Sequence, residues 1–150
     1  MDCDGVLTDG RLYFSSRGEE MKVFDVRDGQ GLVMWHRAGF KSGIISGRGA
    51  LDITQIRAQE LGIQFVRTGS SDKVRDLNEI VTELGVTLEN AAFVGDDVGD
   101  LEAMKLVGFA IAVSDAVEEV KSAADYVTNC KGGRGAIREV VDLLLASRSR

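Results

Sequence analysis

The chain has 150 residues, 44% hydrophobic and 28% charged, which suits one domain over residues 1–150 with a real apolar core. Its net charge of -6 with no basic cluster argues against nucleic acid as a partner. No apolar run approaches the roughly 18 residues that cross a bilayer and no secretory leader is visible, so a cytoplasmic location with no membrane partner is expected. Two cysteines are too few for a disulfide framework, and a single histidine, His36, moves any acid–base chemistry onto carboxylates or lysine.

The chain opens on Asp2-Cys3-Asp4-Gly5. Carboxylates two apart at a strand end project to one side, and Gly5 lets the chain turn sharply after them. Cys3, between two acids, is expected to be a poor thiolate and a small buried side chain. Residues 11–14 and 21–26 read as the strands of a hairpin joined through 15–20, with Glu19 and Glu20 at its exposed end. Asp28 is expected to cap a helix reaching about Ala38, with Gly39 as its stop. Trp35 and His36 read as packing and surface residues. Residues 42–46 form a short apolar strand ending in the hydroxyl of Ser46, ahead of Gly47-Arg48-Gly49. A helix over 51–61 and a strand over 63–66 follow. Lys73 then leads into a helix carrying Val74, Leu77, Ile80, Val81 and Leu84 at helical spacing, ended by Gly85.

Residues 91–94 read as a buried strand running into a second acidic turn, Gly95-Asp96-Asp97-Val98-Gly99-Asp100. A helix over 101–107, a strand over 109–113, a helix over 116–124 and a strand over 126–128 come next. The glycine-rich loop Lys131-Gly132-Gly133-Arg134-Gly135, an amphipathic helix over 137–146 and a frayed end over 147–150 close the chain.

Short apolar strands alternating with helices indicate an α/β fold, a doubly wound parallel sheet, whose ligands bind beyond the carboxyl ends of the strands. Asp2, Asp4, Ser46, Asp96 and Asp97 each stand where an apolar strand ends, and Lys73 opens a helix after another, so one crevice can collect them together with Asp100. Converging carboxylates need a cation, and hard oxygen ligands without nearby His or Cys favour Mg²⁺. Ser46 and Lys73 then suit a phosphate, an Asp carboxylate suits the nucleophile, and Asp4 can protonate the leaving alcohol and then activate water. Plainer readings stand beside these. Asp97 and Asp100 can hold Lys73 or the turn from behind, Arg48 can be a surface arginine, Arg57 can lie on a solvated helix face, and Asp9 can be a turn residue.

The stretch 2–10, the serine of Ile45-Ser46-Gly47-Arg48, Lys73, and Gly95-Asp96-Asp97 resemble, in order, the four motifs of the haloacid dehalogenase-like phosphatases. Gly18-Glu19-Glu20, Phe24-Asp25-Val26-Arg27-Asp28-Gly29, Ala124-Asp125-Tyr126-Val127-Thr128 and Gly132-Gly133-Arg134-Gly135-Ala136-Ile137-Arg138-Glu139 are similar to the 3-deoxy-D-manno-octulosonate 8-phosphate (KDO 8-phosphate) phosphatases of that superfamily. The resemblance implies a capless Rossmann-like core with a β-hairpin inserted after the first strand. It implies Mg²⁺-dependent hydrolysis of a phosphosugar-acid monoester, KDO 8-phosphate, with a nine-carbon ulosonate 9-phosphate as the competing substrate. By the same resemblance Asp2 is the nucleophile and a magnesium ligand. Asp4 is the acid/base and also binds the metal through its backbone carbonyl, Asp96 is the third protein ligand, and Ser46 and Lys73 hold the phosphate. Asp25, Val26, Arg27, Asp28, Gly29, Arg48 and Arg57 face the sugar acid. The implied assembly is a homotetramer built on the hairpin, with a neighbouring subunit closing each active site.

Two departures accompany the likeness. Ser46 stands where many relatives carry threonine, and the hydroxyl survives. The hydrophobic strand expected before the first aspartate is represented by Met1 alone, which leaves open an upstream start, a crippled enzyme or a non-catalytic oligomerisation module. A signalling receiver domain uses similar groups, but its acidic pair comes early, whereas here the double Asp follows Lys73.

Overall fold

The structure, a computed structural model, describes residues 1–49 and 51–148. Ser149 and Arg150 of the expected frayed end, and the side chain of Glu20, lie outside the described residues.

After the opening turn the chain makes an antiparallel hairpin, β1 (Tyr13–Ser15) and β2 (Gly18–Met21). Its turn is tighter than the expected loop over 15–20. Ser15 pairs with Gly18, and the Ser15 hydroxyl accepts the Arg17 N–H at 3.0 Å, a local side-chain bond that closes the turn early. The strands therefore take in Glu19, whose side chain is only 9% exposed rather than sitting at an open hairpin end.

The helix α1 (Val26–Arg37) starts earlier than expected. Its cap is Asp25, which accepts the Arg27 N–H at 2.7 Å, and Asp28 falls inside the first turn, buried. There the Asp28 carboxylate accepts the backbone N–H groups of Gly135 (3.1 Å) and Arg138 (2.9 Å) at the start of the last helix, a favourable place for a negative charge. Asp28→Ala would strip two N–H groups of their acceptor. We expect a loss of about 1–3 kcal/mol, read as a lower urea midpoint.

The remaining elements are β3 (Gly43–Ile45), α2 (Leu51–Leu61), β4 (Phe65–Arg67), α3 (Lys73–Leu84), β5 (Ala92–Gly95), α4 (Leu101–Met104), β6 (Phe109–Ala112), α5 (Glu118–Ala123), β7 (Tyr126–Val127) and α6 (Ala136–Arg148). Helix α4 is shorter than the expected 101–107 because it tightens after Met104, where Leu106 N–H bonds the Ala103 carbonyl three residues back at 3.3 Å; ahead of it Asp97 and Asp100 cap one another's backbone in a 3-10 turn over Val98–Asp100.

Strand β3 runs parallel to β4, and β5, β6 and β7 run parallel in that order. Met1 and Asp2 lie between the two groups. The Met1 carbonyl accepts Ile45 N–H at 3.0 Å, and Asp2 N–H donates to the Val94 carbonyl at 3.0 Å, so these two residues join β3 to β5. The nucleophile candidate is thus held by sheet-like bonds on both sides. The fold is α/β with parallel strands. Helix α1 packs on α6 and α3 on α4, around a core that includes Val6, Ile44, Ile45, Phe93 and Ile111, all at most 1% exposed. No helix among the described residues is long and apolar enough to cross a membrane.

Candidate active site

Strand ends supply the site. Asp2 leaves the junction between β3 and β5, Ser46 follows β3, and Asp96 follows β5, while Lys73 is the first residue of α3. These residues, with Asp4, Arg48, Asp97 and Asp100, line a cleft of about 340 Å³.

Oxygens from Asp2, Asp96 and Asp100 all lie within 4.8 Å of one another. Lys73 Nζ bridges two of these groups, at 3.1 Å from Asp2 Oδ2 and 2.6 Å from Asp100 Oδ1. Burial opposes its charge, but Asp2 and Asp100 more than compensate, so the Lys73 pKa is raised. Asp100 also reaches the acidic turn, where its Oδ2 accepts Asp96 N–H at 3.0 Å. Asp97 instead caps its own turn by accepting Val98 N–H at 2.7 Å. Ser46 is buried, and its Oγ accepts Arg48 N–H at 3.3 Å, which leaves the hydroxyl proton for another acceptor.

The carboxylates strain against one another. Burial first, then Asp100, raises the pKa of Asp2. Burial, then Asp2, Asp100 and Asp97, push Asp96 from the ordinary 3.8 up to about 8. Asp96 Oδ1 is buried with no hydrogen-bond partner among the described residues. An orphaned oxygen, a hard all-oxygen donor set and a carboxyl that cannot easily ionise by itself together fit a divalent cation such as Mg²⁺. The fit is close on the other side too. A Cβ at Gly5, where φ is +90°, would lie 1.9 Å from Asp96 Oδ2.

A carboxyl with a raised pKa takes up a proton on folding, so its contribution to stability falls as pH rises from about 4 to about 8. A bound cation displaces that proton and gains most where the penalty is full. The rise in melting temperature on adding Mg²⁺ is therefore expected to be larger at pH 8 than at pH 5, measured by thermal denaturation with and without the metal.

Asp4 lies at the cleft in an arrangement no motif announced. One of its oxygens, Oδ1, is bonded by the ammonium of Lys22, a side chain 1% exposed. Lys22 Nζ also sits 2.8 Å from Glu19 Oε1, and Glu19 Oε2 takes Arg48 Nη2 at 2.8 Å. Burial disfavours the charge on Lys22, but its bonds to Asp4 and Glu19 outweigh that and raise its pKa. Glu19 likewise overcomes burial through Lys22 and Arg48, and its pKa falls. A charged residue between Met21 and Val23 in a strand-like run was the available signal for Lys22. Cys3 is fully buried, and burial, then Asp4, push its thiol up to about 12.

The expected sugar-acid residues divide. Arg48 lines the acidic cleft. Arg57 does not. It lies in a separate cavity of about 350 Å³ with Phe24, Val26 and Ile56, pairs with Glu60 at 2.8 Å and stands 5.6 Å from the Phe24 ring centroid. With a side chain 16% exposed, it is not on a solvated face either. Gly29 lies beneath it, since a Cβ there would meet Arg57 Nη2 at 2.5 Å. Asp25 pairs with Arg27 at 2.7 Å, and Arg27 reaches the Arg134 carbonyl at 3.2 Å, on the outer side of the glycine-rich loop. Asp28 is committed to that loop, so within one chain Asp25, Val26, Arg27, Asp28, Gly29 and Arg57 do not line the acidic cleft. Asp9 takes part in a turn, accepting Arg11 N–H at 3.2 Å. His36 bonds the Leu61 carbonyl (3.0 Å) and the Ser42 hydroxyl (2.7 Å), a structural tie.

Residues 45–140 match the family of haloacid dehalogenase-like hydrolases, and the chain belongs to it. Within that family its similarity is to KDO 8-phosphate phosphatases. The enzyme of that name from Salmonella typhi is 42% identical over 150 residues, which cover the whole of this chain and 79% of the relative. The crystal structure of the Yersinia pestis enzyme superposes with a TM-score of 0.95 at 42% identity, covering 99% of this chain and 80% of that one. The Moraxella catarrhalis enzyme, solved in complex with a magnesium ion, a phosphate ion and KDO, superposes with a TM-score of 0.93 at 40% identity, covering 97% of this chain and 83% of that one.

Proposed function

We propose that this chain is a Mg²⁺-dependent phosphatase that hydrolyses KDO 8-phosphate to KDO and phosphate. The observation that carries the reading is the convergence of Asp2, Asp96, Asp100 and Lys73 beside the Ser46 hydroxyl, in a chain 42% identical to phosphatases of that specificity.

Asp2, Asp96 and the backbone carbonyl of Asp4 would hold the metal, which when bound offsets charge on the phosphoryl oxygens. Ser46 and Lys73 orient the phosphate for Asp2. An Asp2 carboxylate oxygen attacks phosphorus, the bond from phosphorus to the sugar oxygen breaks, and Asp4 gives its proton to that oxygen. Water then attacks the phosphorus of the aspartyl phosphate, passes a proton to Asp4 and frees both inorganic phosphate and Asp2. Asp97 and Asp100 support the acidic turn, and Asp100 also steadies Lys73.

The sugar acid's carboxylate suits an arginine fork. Arg48 is at the cleft, but Arg57 and residues 25–29 lie outside it, as a site completed by a second copy requires. The hairpin and the segments flanking it also expose Leu12, Tyr13, Phe14, Met21, Val23 and Val26, apolar side chains of the kind a second copy can cover. Both features support a homotetramer in which a neighbour closes each cleft. Light scattering after gel filtration should give about four times the 16.2 kDa chain mass.

The functional test is phosphate release across KDO 8-phosphate, a nine-carbon ulosonate 9-phosphate and simple aldose phosphates, with and without Mg²⁺. KDO 8-phosphate should give the highest kcat/KM. No preference for ulosonate phosphates would end the substrate assignment.

A further inference from the structure

We infer that Lys22 is a positioning residue for the reaction: it fixes one oxygen of Asp4 so that the other serves the leaving group and then the attacking water. The inference rests on the acid/base reading of Asp4 given above. Four charged side chains alternate in sign along one run of contacts that leaves the cleft at Arg48 and returns to it at Asp4, through Glu19 and Lys22. The Lys22 side chain is 1% exposed and that of Glu19 9%, so neither is a screened surface pair. Among the described residues Asp4 has no other side-chain hydrogen-bond partner, and its Oδ2 is buried with no hydrogen-bond partner at all.

The division of labour between the two oxygens follows. Oδ1 is committed to an ammonium, and Oδ2 is left for the proton that passes to the sugar oxygen and later returns from water. Lys22 keeps its own protons throughout. A carboxylate on a short side chain can rotate, and a rate that depends on proton transfer suffers when the carboxyl is out of reach. The anchor lies at the end of β2, so the hairpin sets where Asp4 points.

The experiment compares two esters by kcat/KM, which covers the chemistry up to departure of the leaving group. A sugar phosphate has an alkoxide leaving group that needs a proton. p-Nitrophenyl phosphate has a phenolate that does not. Lys22→Met is expected to lower kcat/KM at least about tenfold on the sugar phosphate and much less on the aryl ester, as Asp4→Asn does. Lys22→Arg, which restores a cation, should recover most of the difference. The double variant Lys22→Met with Asp4→Asn should be no worse than Asp4→Asn alone, within about threefold, because Lys22 acts through Asp4.

Equal losses on both esters, or losses that multiply in the double variant, would show a merely structural lysine and overturn the inference. If Asp4→Asn itself loses equally on both esters, the acid/base reading fails and takes this inference with it. Should Lys22→Met not fold, Glu19→Gln loosens Lys22 without removing it. It is expected to lower the alkyl-to-aryl ratio in the same direction, and an unchanged ratio overturns the inference.

Discussion

Asp2→Asn is expected to lower phosphatase turnover at least about 10³-fold while leaving the fold intact. The amide keeps the shape, so Cys3 N–H, now 2.7 Å from Asp2 Oδ1, retains an acceptor. What is lost is the negative oxygen that would take the phosphoryl group. Stability should move the other way. Burial and the nearby Asp100 already disfavour the charged form of Asp2. Removing that charge relieves repulsion among Asp2, Asp96 and Asp100, and Lys73 keeps its 2.6 Å partner in Asp100. In metal-free buffer the melting temperature of Asp2→Asn should therefore equal or exceed that of the wild type. An inactive variant that melts no earlier separates a catalytic carboxylate from a structural one. Turnover within tenfold of wild type would sink the nucleophile assignment.

Gly5→Ala is the second large effect, and it comes from geometry rather than chemistry. Gly5 sits at φ +90°, where a side chain costs about 1–2 kcal/mol. The added methyl would also lie 1.9 Å from Asp96 Oδ2, so Asp96 or the opening turn must move. A shift of about 1 Å at a reacting centre is worth roughly 10² in rate. The expected result is about a hundredfold loss of activity with weaker Mg²⁺ binding, read by metal titration and by phosphate release at saturating metal. The glycine-rich loop transmits the same constraint. Gly133 N–H donates to the Val6 carbonyl at 2.8 Å, and a Cβ on Gly132 would fall 1.7 Å from the Gly5 carbonyl oxygen. Asp28 and the loop thus steady the opening turn, although they lie outside the cleft themselves.

Arg57 shows where a motif outruns a single chain. The likeness to sugar-acid phosphatases singles it out, and one chain holds it half-buried beside Phe24 in a cavity of its own. In the homotetramer proposed above, its use in catalysis would depend on a neighbouring copy, which no local pattern describes. Glu19 shows the opposite failure. Placed among polar residues, it reads as a solvated hairpin end, yet Lys22 and Arg48 draw it inward.

The alternation of strand and helix, the strand-end positions of Asp2, Ser46 and Asp96, and the place of Lys73 at a helix start were all legible in the order of residues. Those follow from short-range rules, namely apolar runs, two-residue alternation and turn formers, which act over a few neighbours. How the charges are shared was not legible there and emerges with the folded chain. Lys22 meets Asp4 across 18 residues of chain, and Lys73 meets Asp100 across 27. Such pairings depend on which side chains are buried together and which charges must be neutralised there, and burial belongs to the folded chain alone. The bridging of β3 and β5 by Met1 and Asp2 is of the same kind, since backbone bonds to Ile45 and Val94 exist only once distant strands lie side by side.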